Sequence, residues 1–220
     1  TLYRFAVKVS KRLEGTRHFK ENVCVFSRAV VLAQSSQLRK LAGVSGQRAD
    51  SGRRRLQRFV AQRQPLEAFF VSWTRQVLEM VTSRDAVLVV DETKLGARLA
   101  VMVVALVFEG RCIPLVWRVY RANSHEHYPA QGQTAMSRAM LTLVKQGMPQ
   151  RKRVRVLADR GIGTSPELMR AIMALKWTFL FRVTRQSKII LPDGQEVTFY
   201  DQVQHPGESY RASGKVFKKR

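Results

Sequence analysis

The stretch "AVLVVDETKLG", residues 86–96, places two acids, Asp91 and Glu92, directly after five consecutive apolar residues. The run 86–90 is short and rich in Val, which is typical of a buried β-strand. A buried strand has no structural need of a carboxylate at its end, because burying an unpaired charge is unfavourable. The position of Asp91 therefore indicates a function at this end of the strand.

A second stretch, "VRVLADRG" at residues 154–161, ends a short strand in the same way, with Asp159 as the first acid. Functional groups of α/β sheets collect at the carboxyl ends of strands. Two neighbouring carboxylates resist joint ionisation unless a cation lies between them, and Mg²⁺ or Mn²⁺ prefers such oxygen ligands. We therefore predict that Asp91 and Asp159 are catalytic metal ligands. The alternative is that each Asp merely caps the loop that follows its strand.

The remaining hydrophobic pattern predicts a mixed α/β (α+β) fold. The expected helices cover residues 27–43, a second segment before the break at Gln64-Pro65, residues 66–81, a segment ending at Lys145, and a segment capped by Thr164 or Ser165. The second helix carries Leu56, Phe59 and Val60 on one face and Arg54, Arg55 and Arg58 elsewhere. The expected strands are 86–90, 100–108, 111–119, 154–158 and 177–183, with tight turns at Glu109-Gly110 and, in a later hairpin, at Asp193-Gly194. The helix predicted at 66–81 has its apolar stripe at Leu66, Phe69, Phe70, Trp73, Val77, Met80 and Val81. The order is therefore helices, then βββαβαβ, then a further β element. We divide the chain into a helical region at 1–84, a core at 85–184 and a β segment at 185–220.

The charge of the chain indicates a polyanionic partner. Lys and Arg number 39 and Asp and Glu 16, which gives a net charge of +23. Double-stranded DNA is the partner we expect, and the cluster of Arg53, Arg54, Arg55 and Arg58 is the predicted contact, unless it is only a solvated helix face. No apolar run is long enough for a membrane span, and two cysteines form neither a disulfide framework nor a metal motif. A cytoplasmic location near the nucleoid is therefore predicted.

Five stretches carry a resemblance to a known family: "RRRLQRF" at 53–59, "VLVVDETKLG" at 87–96, "VMVVALVFEGRCIPLVWRVY" at 101–120, "VLADRGIGTSPELMRAI" at 156–172 and "WTFLFRVT" at 177–184. Residues 50–183 resemble the DDE transposases of bacterial insertion sequences, in the subgroup with a β-strand insertion in the catalytic domain. The resemblance implies an RNase H-like core with Asp91 and Asp159 as its first two catalytic acids. It further implies that Thr93 and Arg160 shape the surroundings of Mg²⁺ or Mn²⁺ and contact phosphate.

The same resemblance implies hydrolysis and strand transfer at the ends of a DNA transposable element, with a homodimer in the active complex. The family's third acid is a Glu in a Tyr-x2-Arg-x3-Glu-x6-Lys pattern, which no stretch of this chain matches. We therefore expect a fragment that ends before this acid, with 185–220 as the start of the insertion, and expect residues 1–220 alone to bind DNA without cutting it. Two alternatives stay open: a truncated remnant that binds DNA or intact transposase without catalysis, and an RNase H-like nuclease.

Overall fold

A computed structural model describes residues 10–11, 13, 16–46, 48–61, 66–122 and 132–216. The chain divides into two units, one formed by residues 1–82 with 147–149 and the other by residues 83–146 and 150–220. We call them the helical unit and the sheet unit. The predicted mixed α/β class is confirmed. In the part of the chain that is described, no helix has the length and hydrophobicity to cross a membrane.

The described part of the helical unit contains helices α1 (Arg17–Ala33), α2 (Leu38–Gly43), α3 (Ala49–Ala61) and α4 (Leu66–Met80). The single helix predicted over 27–43 is wrong, because Gln34 adopts a left-handed conformation with φ of 46° and ends α1. Two serines follow, and the Ser35 hydroxyl accepts a hydrogen bond from the Gln37 amide. Serine side chains that bond to the local backbone compete with a continuing helix. Helix α1 also begins earlier than the sequence indicated, where the Thr16 hydroxyl caps the amide of Phe19.

Helices α1, α2 and α3 share a small apolar core. Ala29, Leu41 and Leu56 contribute one fully buried side chain from each helix. Gly52 of α3 lies so close to the preceding turn that a Cβ there would be 2.6 Å from the Ser45 hydroxyl oxygen. The short α2, the turn and α3 therefore form one tightly packed element.

Helix α4 confirms the predicted helix but only part of its predicted stripe. Phe70 and Val77 are buried as expected, whereas Leu66 and Met80 are exposed. Thr74 and Leu78 lie on the buried side instead. The predicted break at Gln64-Pro65 lies outside the described residues.

The sheet unit is built on a five-stranded sheet with the order β3-β2-β1-β4-β5. Its strands are β1 (Asp85–Leu95), β2 (Leu99–Phe108), β3 (Arg111–Arg121), β4 (Arg153–Ala158) and β5 (Thr178–Phe181). The pairs β1–β2 and β2–β3 are antiparallel, while β1–β4 and β4–β5 are parallel. Helix α5 (Gly132–Gly147) precedes β4, and α6 (Pro166–Ala174), capped by Ser165, precedes β5. The elements follow the predicted order βββαβαβ.

Turn chemistry fixes both predicted hairpins. Glu109 and Gly110 join β2 to β3 with φ of 48° and 72°, and positive values at both positions suit the right-handed twist of the strands. The second hairpin joins β6 (Lys188–Ile190) to β7 (Glu196–Thr198), with Gly194 at φ of 89°. A short helix, α7 (Phe199–Gln202), and a third strand, β8 (Lys215–Val216), complete a small separate sheet in the order β7-β6-β8.

Candidate active site

Strand β1 continues beyond the point where the sequence pattern ends it. The predicted strand stops at residue 90, but β1 extends to Leu95 because its antiparallel partner β2 continues beside it, pairing Asp91 with Val103 and Thr93 with Val101. Only the parallel partner β4 stops at this level. Asp91 therefore lies within a strand, at the place where one of the two neighbouring strands has ended.

The register of β1 and β4 brings the two aspartates to adjacent positions. The last parallel pair is Val90 with Ala158, so Asp91 is the next residue of β1 and Asp159 is the first residue after the end of β4. Neighbouring strands lie about 4.8 Å apart, and side chains alternate between the faces of a sheet. The positions that are buried, and so share the opposite face, are Ala86, Leu88 and Val90 in β1 and Val154, Val156 and Ala158 in β4. The same alternation assigns Asp91 to the other face of the sheet, where it is half-buried, while Asp159 begins the loop after β4 and is exposed.

One oxygen of Asp91 is held by a neighbour on its own strand. The Thr93 hydroxyl donates a hydrogen bond of 2.7 Å to Asp91 Oδ2. Residues two apart in a strand share a face, so this contact follows directly from the spacing Asp-x-Thr. Asp91 Oδ1 has no hydrogen-bond or ion-pair partner among the described residues. Thr93 thus fixes the carboxylate while leaving its other oxygen accessible.

One oxygen of Asp159 is held by the loop that follows β4. Its Oδ1 accepts hydrogen bonds from the amides of Gly161, at 2.8 Å, and Ile162, at 3.4 Å. The loop is tight at Gly163, where a Cβ would lie 2.7 Å from the Asp159 carbonyl oxygen and 2.8 Å from Phe181 Cβ. Asp159 therefore does cap its loop, as the alternative interpretation expects. Its Oδ2, however, has no partner within the described ranges.

The neighbouring acid Glu92 is separated from this pair. It is half-buried, and the alternation of the strand assigns it to the face opposite Asp91. Its Oε2 accepts a hydrogen bond from the side-chain amide of Gln133, in the first turn of α5. The sequence shows two adjacent acids and the period-2 rule separates them, but only the fold reveals that Gln133 is the partner of Glu92.

The donor set of the aspartate pair suits a hard divalent cation. Two carboxylates at adjacent strand positions each offer one oxygen without a protein partner, and Mg²⁺ and Mn²⁺ take such oxygens while keeping several waters. Across the residues described, no group of three or more His, Cys, Asp or Glu side chains is placed to hold a metal ion. Mg²⁺ usually binds through one or two carboxylates and keeps several waters, so the chemistry of two carboxylates suits it.

The arginines predicted to contact DNA do not share one environment. Arg53, Arg54 and Arg58 are exposed on α3. Arg55 is half-buried, and its Nε donates a hydrogen bond of 2.7 Å to Oδ1 of the buried Asn22. The half-buried position of Arg55 could have been predicted from the sequence, because residues 52, 55 and 56 lie on one face of a helix and Gly52 and Leu56 are buried. In the sheet unit, Arg160 is exposed directly after Asp159.

Comparison with models of known protein families and with curated proteins returns no match for this chain.

Proposed function

We propose that this chain carries the catalytic core of a DDE-type DNA transposase, which catalyses metal-dependent hydrolysis and strand transfer at the ends of a transposable element. The observation that carries the proposal is that Asp91 and Asp159 directly follow Val90 and Ala158, the last residue pair of two neighbouring parallel strands. Each has one carboxylate oxygen without a described protein partner. Bound Mg²⁺ or Mn²⁺ would supply charge stabilisation to a phosphodiester under attack.

The proposal that the sheet unit is an RNase H-like core is supported by its topology. Three strands joined in antiparallel fashion are followed by two parallel strands, and a helix precedes each of these. The order β3-β2-β1-β4-β5 puts the two acid-bearing strands side by side in the middle of the sheet. This is the layout that the resemblance to DDE transposases leads us to expect.

The protein groups around the aspartates have separate tasks in this proposal. Thr93 orients Asp91 through its hydroxyl, and the amides of Gly161 and Ile162 orient Asp159. The exposed guanidinium of Arg160 is positioned next to Asp159 in sequence and suits a contact to a non-bridging phosphate oxygen. Side chains whose orientation is fixed before binding lose little conformational entropy when the ion and substrate bind.

The helical unit is proposed to contact duplex DNA through the exposed face of α3. Arg53, Arg54 and Arg58 offer three guanidinium groups to phosphates, and the packing of α3 against the α2 turn holds that face rigid. The net charge of +23 supports a polyanionic partner. A homodimer on the element ends, in a cytoplasmic location near the nucleoid, completes the proposal.

The proposal can be tested by measuring the Mn²⁺ affinity of the chain, with and without a DNA duplex, from the EPR signal of free Mn²⁺. We expect one ion per chain and a loss of affinity of at least about tenfold in Asp91→Asn. The matched control is Asp193→Asn, which removes an exposed carboxylate in the second hairpin turn, where its Oδ1 accepts from the Gln195 amide. Equal Mn²⁺ affinity in all three proteins would contradict the proposal.

A plasmid nicking assay on the same samples separates the candidate functions. Without the third acid of the family, residues 1–220 are expected to bind Mn²⁺ and duplex DNA but not to cut. Cutting that Asp91→Asn abolishes would mean that the two aspartates suffice, and cutting without joining would favour the nuclease. DNA binding with no Mn²⁺ affinity at the aspartate pair would favour the non-catalytic remnant.

A further inference from the structure

A basic cleft lies at the amino ends of β1, β4 and β5, the end of the sheet opposite to the aspartate pair. Its volume is about 630 Å³, and its lining includes one acid and four cationic side chains, namely Asp85, Lys152, Arg153, Arg155 and Lys176. Neither Asp91 nor Asp159 lines the cleft, and Arg155, the lining residue of β4 nearest to Asp159, lies four residue steps before it, which corresponds to roughly 13 Å of extended chain. The cleft is therefore a surface distinct from the candidate active site.

Two of the four cations have protein partners and two do not. Arg153 forms a two-point ion pair with Asp85, with Nε at 2.8 Å from one carboxylate oxygen and Nη2 at 2.9 Å from the other. The ammonium of Lys152 donates to the carbonyl oxygen of Ser83. The side chains of Arg155 and Lys176 are exposed and form no hydrogen bond or ion pair with any described residue. These two cations are available to an external anion.

The backbone at the cleft gives a second and independent observation. Lys176 has φ of 59° and occupies the left-handed position that ends α6, where the Trp177 amide bonds to the Ile172 carbonyl at 3.2 Å. Glycine is the usual residue at this position, because a Cβ there is strained. Arg151, in the turn before β4, also has a positive φ, of 72°. Lys176 in the lining of the cleft, and Arg151 next in sequence to the lining residue Lys152, are thus cations where glycine would be more stable, which points to a role for the charges.

We infer that this cleft binds the phosphate backbone of a nucleic acid, as a contact separate from the α3 arginines. The cations that line the cleft lie on neighbouring segments, with Lys152 directly before β4, Arg153 and Arg155 within β4 and Lys176 in the turn before β5. Several cations at the amino ends of neighbouring strands suit a chain of phosphates better than one small anion, because the charges of a nucleic-acid backbone recur every few ångströms. The inference rests on the proposed DNA substrate but not on the aspartate pair.

Binding of a labelled duplex of about 30 base pairs, measured in EDTA over a series of salt concentrations, tests the inference. The cleft variant is the double substitution Arg155→Gln with Lys176→Gly. The control is Arg17→Gln with Lys188→Gln, which removes the same two charges from residues paired with Glu21 and Glu196. Each lost phosphate contact lowers the slope of log K against log salt by about 0.9, so the cleft variant should lose about 2 and bind roughly tenfold to a hundredfold more weakly.

The control should keep nearly the full slope. An equal loss of slope in both variants would show that only net charge matters. No loss of slope in the cleft variant would show that the cleft does not contact the DNA. Either result overturns the inference. EDTA removes divalent ions, so failure here leaves the Mn²⁺ test of the aspartate pair unaffected, and failure of that test leaves this one intact.

The single substitution Lys176→Gly distinguishes a loss of DNA binding from a loss of folding stability. Glycine relieves the left-handed strain, so we expect a higher melting temperature together with weaker DNA binding. A higher melting temperature with unchanged DNA affinity would overturn the role of Lys176 in the cleft. A lower melting temperature would contradict the claim that the left-handed backbone conformation of Lys176 is strained.

Discussion

At the scale of residues, the candidate active site depends on which carboxylate oxygen of each aspartate bonds to the protein and which has no described partner. One oxygen of Asp91 is held by Thr93 and one oxygen of Asp159 by loop amides, while the other oxygen of each has no described partner. A carboxylate fixed in this way is oriented before any ligand arrives. The neighbouring Glu92 is also a carboxylate but is bonded to Gln133 on the other face. Sequence proximity alone therefore does not decide which acids act together.

The role of Thr93 can be tested with a pair of substitutions. Thr93→Val keeps the branched shape of the side chain but removes the hydroxyl that donates to Asp91. We expect Mn²⁺ affinity to fall by about tenfold, the usual effect of losing a group that orients a metal ligand. Thr93→Ser keeps the hydroxyl and should retain most of the affinity. If both variants bind Mn²⁺ as the wild type does, the hydroxyl does not position Asp91.

At the scale of elements, α3 shows how one helix combines structural and exposed arginines. Arg55 reaches the buried Asn22, whereas Arg54 on the same turn is exposed. Because an unsatisfied buried amide is costly, we expect a substitution at 55 to act on folding, and under the proposed function we expect one at 54 to act on DNA binding. The four arginines that the sequence groups together thus belong to two classes.

Arg55→Ala and Arg54→Ala form a matched pair for this distinction. Arg55→Ala should lower the free energy of unfolding by about 1–3 kcal/mol, since Asn22 loses its partner. Arg54→Ala should leave stability within about 0.5 kcal/mol and reduce the salt slope of DNA binding by about 1. Denaturant unfolding and duplex titration measure the two quantities. Equal stability of both variants would contradict the structural role of Arg55.

Local sequence signals predicted the elements better than their ends. The strands and hairpins followed from short apolar runs and from turn residues such as Glu109-Gly110, whose conformations are local. The end of α1 at Gln34 and the extension of β1 to Leu95 were not predicted. The extension depends on pairing with β2, which is a non-local interaction that the polar sequence "DETKL" does not reveal. That Asp91 and Asp159 follow neighbouring parallel segments of β1 and β4 was predictable from the apolar runs before them, while the partners of Glu92 and Arg55 required the fold.

At the scale of the whole molecule, the excess of positive charge is the property that every unit shares. The sheet unit itself has two distinct ends, with the aspartate pair near the carboxyl ends of β1 and β4 and the basic cleft at their amino ends. We propose that the first end binds the metal and that the second, which begins roughly 13 Å away along β4, binds nucleic acid. The central claim is that the two aspartates hold one ion between them.

The most direct test of that claim is anomalous X-ray diffraction from crystals of the chain soaked in Mn²⁺. The account predicts one manganese peak bound by both Asp91 and Asp159, at about 2.1–2.2 Å from an oxygen of each. The coordinating oxygens should be Asp91 Oδ1 and Asp159 Oδ2, which have no described protein partner. A peak on one carboxylate alone, or no peak at the pair under conditions where Mn²⁺ binds elsewhere on the chain, would contradict the account.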